Sequence, residues 1–194
     1  MPRHLGGEEL DGLLDWPGVA SAIADGHRRP TAELDDILLR RGADVVLSRA
    51  AMIDGLGALV KTATVFPGNT ALQQPTVNGA VNLFSDRTGE LDATIDFHLL
   101  TKWKTAGDSL LAAKRLARPD ARRIVIVGAG TVAASMIDAY RSNWPAAEIV
   151  VWSRTAAHAG ELAQRCGVGH TDDLEAAVRD GDIVSTATMA TEPL

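Results

Sequence analysis

A short β-branched segment that runs directly into a glycine-rich turn constrains this chain more than any other feature. Residues 122–127 read Arg-Arg-Ile-Val-Ile-Val, and Gly128, Gly130 and Ala133 follow in the pattern Gly-x-Gly-x-x-Ala before a helix-like stretch. The first glycine permits a tight turn, the second lets a pyrophosphate approach the backbone, and the small third residue packs helix against strand. The helix N-terminus adds free N–H groups. This order predicts a dinucleotide site; the alternative is an ordinary tight strand-to-helix turn.

The composition is typical of a globular protein and excludes several classes of partner. The 194 residues suffice for one large or two small domains, and 46% of them are hydrophobic. The net charge of −6 favours neither nucleic acid nor an anionic membrane as a partner. There is no long apolar run and no signal-peptide core, so we expect a cytoplasmic protein. The single Cys166 excludes an internal disulfide, and His158 and His170 are too isolated to predict a metal site.

Residues 1–118 are predicted to form an N-terminal α/β domain. A helical pattern covers residues 8–24, with a break at Pro17-Gly18. Short apolar runs predict strands at residues 36–40, 44–48 and 59–66, and a hairpin is predicted from strands 80–84 and 91–96. A long helix over residues 99–117 is the expected joint to a second domain.

Residues 119–194 alternate strand and helix, a pattern that predicts a parallel, doubly wound Rossmann sheet. Its expected strands are residues 122–127, 148–152, a short one near 168, and 182–187; its expected helices are residues 131–141, 156–166 and 172–179. A complete dinucleotide fold usually has about six strands in two halves. The pattern accounts for the first half and one strand of the second, so we expect a fragment, truncated after the fourth strand.

The residues after the second Rossmann strand bear on the choice of nucleotide. An NAD site normally carries Asp or Glu here to bind the ribose hydroxyls. This chain instead has Ser153, Arg154 and Thr155 after Trp152. An arginine between two hydroxyls can grip a 2′-phosphate through charge-assisted hydrogen bonds, which favours NADP(H) and leaves NAD(H) possible. The alternative is a surface arginine, or one that stacks on adenine without choosing between cofactors.

Several segments, taken in order, resemble the ornithine cyclodeaminase and mu-crystallin family. They are the lysine-bearing strand 59–66 with its Pro67-Gly68-Asn69 turn, the hairpin turn 86–89, the helix segment 101–106, the glycine turn 127–130 and the strand region 181–188. No single segment is specific, but together they cover nearly the whole chain. The resemblance implies an N-terminal substrate and dimerisation domain followed by the Rossmann domain, and a homodimer of the full-length protein.

The same resemblance implies roles for individual residues. Lys61 and Lys104 would hold the substrate carboxylate or the reacting group, with Asn69 as a further substrate contact. Thr76 would lie near the nicotinamide. The remaining cofactor contacts would be the glycines of the turn, with Thr131 and Val132 at the pyrophosphate, Ser153, Arg154 and Thr155 at the adenosine ribose or its phosphate, and Thr186 and Thr188 along the cleft. The family's catalytic aspartate is expected beyond Leu194.

Lys61 is also unusual on physical grounds, because it sits in an apolar strand where an unpaired ammonium is costly to bury. It therefore either points outward or has an anionic partner. At Lys104 the family usually has arginine, so the bidentate fork is lost and the substrate is expected to differ from ornithine. The implied activity is NADP(H)-dependent oxidation or reduction of an amino or imino acid. A cyclodeaminase that recycles bound NAD and a non-catalytic NADPH-binding protein are the alternatives.

Overall fold

The computed structural model describes residues 1–190 and 192–194. The chain divides into two compact units. The first comprises Met1–Leu14 and Asp25–Thr101, and the second comprises Asp15–Ala24 and Lys102–Leu194. Both combine helices and strands, which confirms the predicted α/β class. The domain boundary at residues 118 and 119 stays a prediction.

The first unit is built on a mixed sheet. Its strands are β1 (Arg3–Leu5), β2 (Glu33–Arg41), β3 (Asp44–Ile53), β4 (Gly57–Val65), β5 (Val77–Phe84) and β6 (Leu91–Ile95). They lie in the order β1-β6-β5-β4-β3-β2, with β1 parallel to β6 and every other pair antiparallel. A short helix α1 (Gly7–Asp11) follows β1, and a 3₁₀ turn (Pro67–Leu72) lies between β4 and β5. The predicted hairpin is confirmed as β5 and β6.

Two helices begin close to the boundaries of the units. Helix α2 covers Trp16–Gly26 and helix α3 covers Phe97–Leu116. The predicted break at Pro17-Gly18 is wrong, because both residues lie in the first turn of α2. The Asp15 carboxylate accepts from the Gly18 N–H at 2.7 Å and so caps this helix, and a proline in a first turn removes no helical hydrogen bond. The break lies instead between α1 and α2.

The second unit contains the predicted parallel sheet. Strands β7 (Arg123–Val127), β8 (Glu148–Trp152), β9 (Gly169–His170) and β10 (Ile183–Thr186) lie in the order β10-β7-β8-β9. Helices α4 (Thr131–Asn143), α5 (Ala156–Cys166) and α6 (Leu174–Asp180) connect them. The chain moves from β7 to β8 and β9, then returns to the other side of β7 as β10. Ligands of such sheets bind at the carboxyl ends of the strands where this reversal occurs.

Apolar β-branched side chains explain the burial of the central strand. Ile124, Val125 and Ile126 of β7 are fully buried, as expected for a parallel strand covered on both faces.

Among the residues described, no helix is both long and apolar enough to cross a membrane.

Candidate functional site: a nucleotide cleft and a lysine on the antiparallel sheet

The glycine turn after β7 has a backbone conformation that requires glycine. Gly128 has φ +124°, and a Cβ there would clash with the carbonyl oxygen of Ala187, which follows β10. The Gly128 N–H donates to the Trp152 carbonyl at 2.8 Å, and the Ala187 N–H donates to the Val127 carbonyl at 2.7 Å. These bonds join the carboxyl ends of three strands. The turn therefore places main-chain atoms, with no side chain at Gly128, at the edge of the sheet where the strand order reverses.

The start of helix α4 is open to a ligand. Gly130 is its extended N-cap residue, and no side chain caps the helix. A Cβ at Gly130 would meet open space, in contrast to Gly128. Thr131 and Val132 lie in the first turn, while Ala133 is fully buried and lets α4 approach the sheet closely. Free N–H groups beside an unobstructed backbone fit a pyrophosphate.

A cleft of about 430 Å³ lies at this edge of the parallel sheet. It is lined by Gly128, Ala129, Gly130, Trp152, Ser153, Arg154, Thr155, His158, Ala187, Thr188, Met189, Ala190 and Leu194. Six of the predicted cofactor residues therefore meet in one place. Thr131, Val132 and Thr186 are outside this lining, the first two in α4 and the third at the end of β10.

The polar groups of the cleft are suited to an anion. No Asp or Glu side chain lines it within the part of the chain that the structure describes. Arg154 is exposed, and its guanidinium makes no ion pair with any described residue. Thr155 is the N-cap residue of α5, but its side chain does not cap that helix. The cleft therefore offers a guanidinium and a hydroxyl beside the N-terminus of a helix, a set that fits a phosphate.

Lys61 lies on β4 in the first unit and is half-buried. Its Nζ donates to the Thr101 Oγ1 at 3.1 Å and lies 4.8 Å from the centre of the Phe97 ring. Both partners belong to the start of α3. The structure thus brings the lysine against neutral groups of a neighbouring helix, a contact between residues 36 and 40 positions apart that the strand pattern did not predict.

Lys104, the other predicted catalytic lysine, lies on α3 in the second unit. It is exposed and forms an ion pair with Asp108 one turn further along the helix. Such exposed pairs contribute little to stability. Its proposed contact with substrate stays a prediction.

Asn69 and Thr76 shape the connection between β4 and β5. The Asn69 side-chain amide donates to the Pro75 carbonyl at 2.9 Å, and Asn78 donates to the same oxygen. The Thr76 carbonyl accepts from the Phe66 N–H at 2.8 Å, and its hydroxyl lies 3.5 Å from that of Thr70. Both residues thus stabilise the turn; their substrate and nicotinamide contacts stay predictions.

Two groups of the second unit with shifted pKa values, Asp182 and Tyr140, lie outside the lining of the cleft. The backbone N–H groups of Arg122 and Arg123, together with the Arg118 guanidinium, hold the pKa of the Asp182 carboxyl below its usual range. Burial raises the pKa of Tyr140, whose hydroxyl donates to the Ser185 Oγ inside the second unit. Within the described residues no cluster of His, Cys, Asp and Glu could hold a metal ion. The hydrogen bonds of Asp182 and Tyr140 thus connect elements within the second unit.

The sequence patterns did not indicate site roles for Phe97, Thr101 or His158. His158 lies four residues after Arg154, in the first turn of α5, and lines the same cleft. Phe97 and Thr101 follow Asp96, the residue whose carboxylate accepts the Leu99 N–H at the start of α3. Asp96 is a typical N-cap residue and marks the start of a helix, and Phe97 and Thr101 are four positions apart in that helix. This spacing was the sequence signal that their side chains share one helix face.

Comparisons with known proteins agree with this arrangement. The model of the ornithine cyclodeaminase/mu-crystallin family matches residues 28–194. The chain is 43% identical over its whole length to Delta(1)-pyrroline-2-carboxylate reductase of Paracoccus denitrificans and covers 63% of that protein. It is 31% identical over its whole length to mouse ketimine reductase mu-crystallin and covers 66% of it. The chain therefore spans about two thirds of the length of these curated relatives.

A solved structure gives the same fold. The Delta(1)-pyrroline-2-carboxylate reductase of Thermococcus litoralis, in complex with NADH and L-proline, superposes with a TM-score of 0.83 at 22% identity, over 98% of this chain and 63% of that one. The glycine turn, the parallel sheet and the family match over residues 28–194 lead to one conclusion. This chain belongs to the ornithine cyclodeaminase/mu-crystallin family.

Proposed function

We propose that the chain acts in the NADP(H)-dependent reduction of a cyclic imino acid, represented by Δ1-pyrroline-2-carboxylate. The observation that carries this proposal is the 43% identity, over the whole chain, to the Paracoccus denitrificans reductase of that substrate. In the reaction the imine carbon gains a hydride and the nitrogen gains a proton, so that C=N becomes a secondary amine. When bound, the nicotinamide cofactor supplies the hydride.

The second unit would bind the cofactor. Backbone N–H groups at Gly128 and Gly130 and at the start of α4 would hold the pyrophosphate, with Thr131 and Val132 in that first turn. Arg154, flanked by Ser153 and Thr155, would bind a 2′-phosphate, and the lack of a described acidic side chain in the cleft supports NADP(H) over NAD(H). Thr188 would line the adjoining wall, with Thr186 at the end of β10.

The first unit would supply Lys61 to the substrate. The ammonium lies at the Thr101 hydroxyl and the Phe97 ring, and the substrate carboxylate would pair with it there. Lys104 on α3 and Asn69 in the turn after β4 would be further substrate contacts, and Thr76 would lie near the nicotinamide. Because the chain spans about two thirds of the length of its curated relatives, we propose this activity for the full-length protein.

The direct test is an assay with the purified full chain. NADPH oxidation is followed with Δ1-pyrroline-2-carboxylate, with NADH as the alternative cofactor. Ammonia release is followed separately with L-ornithine and NAD⁺. We expect imine-dependent NADPH oxidation that falls at least about 100-fold in kcat/KM when Lys61→Met removes the charge, equivalent to about 2.7 kcal/mol. Exposed Lys114→Met is the matched control. Ammonia release from ornithine without net NADH formation would indicate a cyclodeaminase, and NADPH binding without either reaction would indicate a binding protein.

We further infer that two copies associate through the free edge of β2. This edge strand exposes Leu34, Ile37, Leu38 and Leu39, each at least 50% exposed. We propose that two β2 strands pair antiparallel about a two-fold axis at Leu38. In this register oppositely charged side chains face each other, and apolar side chains face each other, on both faces of the sheet. It places Asp35 opposite Arg41, Asp36 opposite Arg40, and Ile37 opposite Leu39. Paired edges of this kind satisfy backbone groups that an open edge leaves exposed.

A further inference from the structure

Two residues on one face of α3 contact the Lys61 ammonium. Its Nζ donates to the Thr101 Oγ1 at 3.1 Å and lies 4.8 Å from the centroid of Phe97. The two residues are four positions apart in a helix, so their side chains are neighbours on its surface. The ring supplies a cation–π contact and the hydroxyl supplies a directional acceptor.

The Phe97 ring is fixed against the sheet. It is 5% exposed, and a Cβ at Gly79 of β5 would clash with it. Lys61 pairs with Val81 across β4 and β5, and Gly79 pairs with Ala63. Because side chains alternate along strands, Lys61 and Gly79 share the face on which the ring lies. The absence of a side chain at Gly79 lets the ring lie beside the lysine.

The helix that carries both residues is anchored at its start. The Asp96 carboxylate accepts the Leu99 N–H at 2.7 Å, and the Asp96 N–H donates to the Leu5 carbonyl at 2.8 Å. The second bond joins the start of α3 to β1. Phe97 and Thr101 thus project from a helix terminus that is tied to the sheet carrying Lys61.

We propose that Phe97 and Thr101 are positioning residues that pre-order the Lys61 ammonium for the carboxylate of the substrate. A lysine side chain loses much rotamer freedom when an anion binds to it. Both contacts restrict that freedom beforehand, and neither partner carries a negative charge, so these contacts order the ammonium without neutralising it. Pre-ordering of one side chain corresponds to a roughly 3- to 10-fold gain in affinity.

Two pairs of variants separate positioning from packing. Thr101→Val removes the acceptor at nearly constant volume, and Thr101→Ser restores it. Phe97→Leu removes the ring, and Phe97→Tyr restores it. For Δ1-pyrroline-2-carboxylate we expect Thr101→Val and Phe97→Leu each to raise KM about 3- to 10-fold, with kcat changed less. Thr101→Ser and Phe97→Tyr should stay within about 2-fold of the parent, and the Kd of NADPH should stay constant in all four.

Because this inference rests on the role proposed for Lys61, the same variants are also made in the Lys61→Met background. There the Thr101 and Phe97 changes should have no further effect on KM, since the group they position is gone. Equal losses in both backgrounds, or parallel losses in NADPH affinity, would show a packing role and overturn the inference. Normal kinetics of Lys61→Met alone would instead overturn the role of Lys61. An impaired Lys61→Met beside normal Thr101→Val and Phe97→Leu would leave that role intact and refute the positioning.

A readout independent of turnover is the acetylation rate of Lys61 by dilute acetic anhydride, followed by peptide mass spectrometry with exposed Lys114 as internal reference. Release of the side chain by Thr101→Val or Phe97→Leu should raise the Lys61 rate relative to Lys114 about 3-fold or more, and Thr101→Ser and Phe97→Tyr should not. Unchanged relative rates in the first two, in variants that melt cooperatively, would show that these contacts do not hold the lysine.

Discussion

At the scale of single residues, neighbouring glycines have different physical roles. Gly128 has a positive φ and a carbonyl group packed against the position of its missing Cβ, whereas Gly130 faces open space. The first glycine is required by the protein's own backbone. At Gly130 a Cβ would meet no protein atom, so we expect the glycine to matter only for the approach of a ligand. A substitution at each position therefore tests a different property.

We predict that Gly128→Ala destabilises the protein and that Gly130→Ala chiefly weakens NADPH binding. The first change combines a strained backbone with a clash at Ala187 and should cost at least about 2 kcal/mol in the free energy of unfolding. Gly130→Ala should cost less than about 1 kcal/mol, because the N-cap backbone is extended and the space is free. Urea unfolding and fluorescence titration with NADPH measure the two effects. Equal stability of the two variants would contradict this assignment.

Arg154 is predicted to recognise the 2′-phosphate. Arg154→Ala should weaken NADPH binding by about 1.5–3 kcal/mol, the range for a hydrogen bond to a charged group, and should change NADH binding little. Arg165→Ala is the matched control, because it removes an arginine from the last turn of α5, the helix that follows Arg154. Equal losses for NADPH and NADH in fluorescence titration would exclude the phosphate assignment.

At the scale of elements, one carboxylate joins strands β7 and β10 at their amino ends. Asp182, which precedes β10, accepts the Arg122 and Arg123 N–H groups at 2.7 and 3.0 Å and pairs with Arg118. These donors favour the charged carboxylate, which explains its lowered pKa. The edge strand β10 is thereby tied to the centre of the sheet at the end opposite the nucleotide cleft.

The lowered pKa of Asp182 predicts a pH dependence of stability. A carboxyl group whose folded pKa is below its unfolded value of 3.8 stabilises the protein above that value, and the stabilisation is lost as pH falls through the folded pKa. Asp182→Asn should therefore lower Tm at pH 6–7, and the difference from the parent should shrink below about pH 4. Thermal melts from pH 7 to pH 3 test this, with exposed Asp120→Asn as control. A Tm difference that stays constant across this range would refute it.

At the scale of the whole molecule, the exposed β2 edge predicts a dimer that depends on Leu38. Because Leu38 faces its own copy at the proposed two-fold axis, Leu38→Arg places two like charges together and should yield monomers in sedimentation equilibrium. Leu72→Arg, at an exposed leucine outside β2, should leave the dimer intact.

A charge exchange tests the register of the same interface. Asp35→Arg alone should weaken association, and Asp35→Arg combined with Arg41→Asp should restore it, because the two residues face each other in the proposed pairing. A dimer insensitive to Leu38→Arg, or a double variant no better than the single one, would place the interface elsewhere.

Features that depend on short spans of chain were predictable from the sequence. The strand–glycine–helix order at residues 122–133 and the alternation that follows it matched the parallel sheet, because each depends on neighbouring residues and on a right-handed crossover. The bounds of β8 and α5 agree with the predicted residues 148–152 and 156–166. The break in the first helical region was misplaced, because the Asp15 side chain, and not Pro17, decides where α2 begins.

Tertiary structure alone decided which distant residues meet. Lys61, Gly79, Phe97 and Thr101 come together only because the β4–β5 register sets one face and α3 covers that face. The strand pattern indicates that Lys61 is unusual, but it does not predict which residues lie beside it. Those contacts depend on strand register and on how the helix docks, and not on local spacing. The sequence by itself determined the strand–glycine–helix turn and the family. How the sheet and helix pack decided which residues contact the lysine.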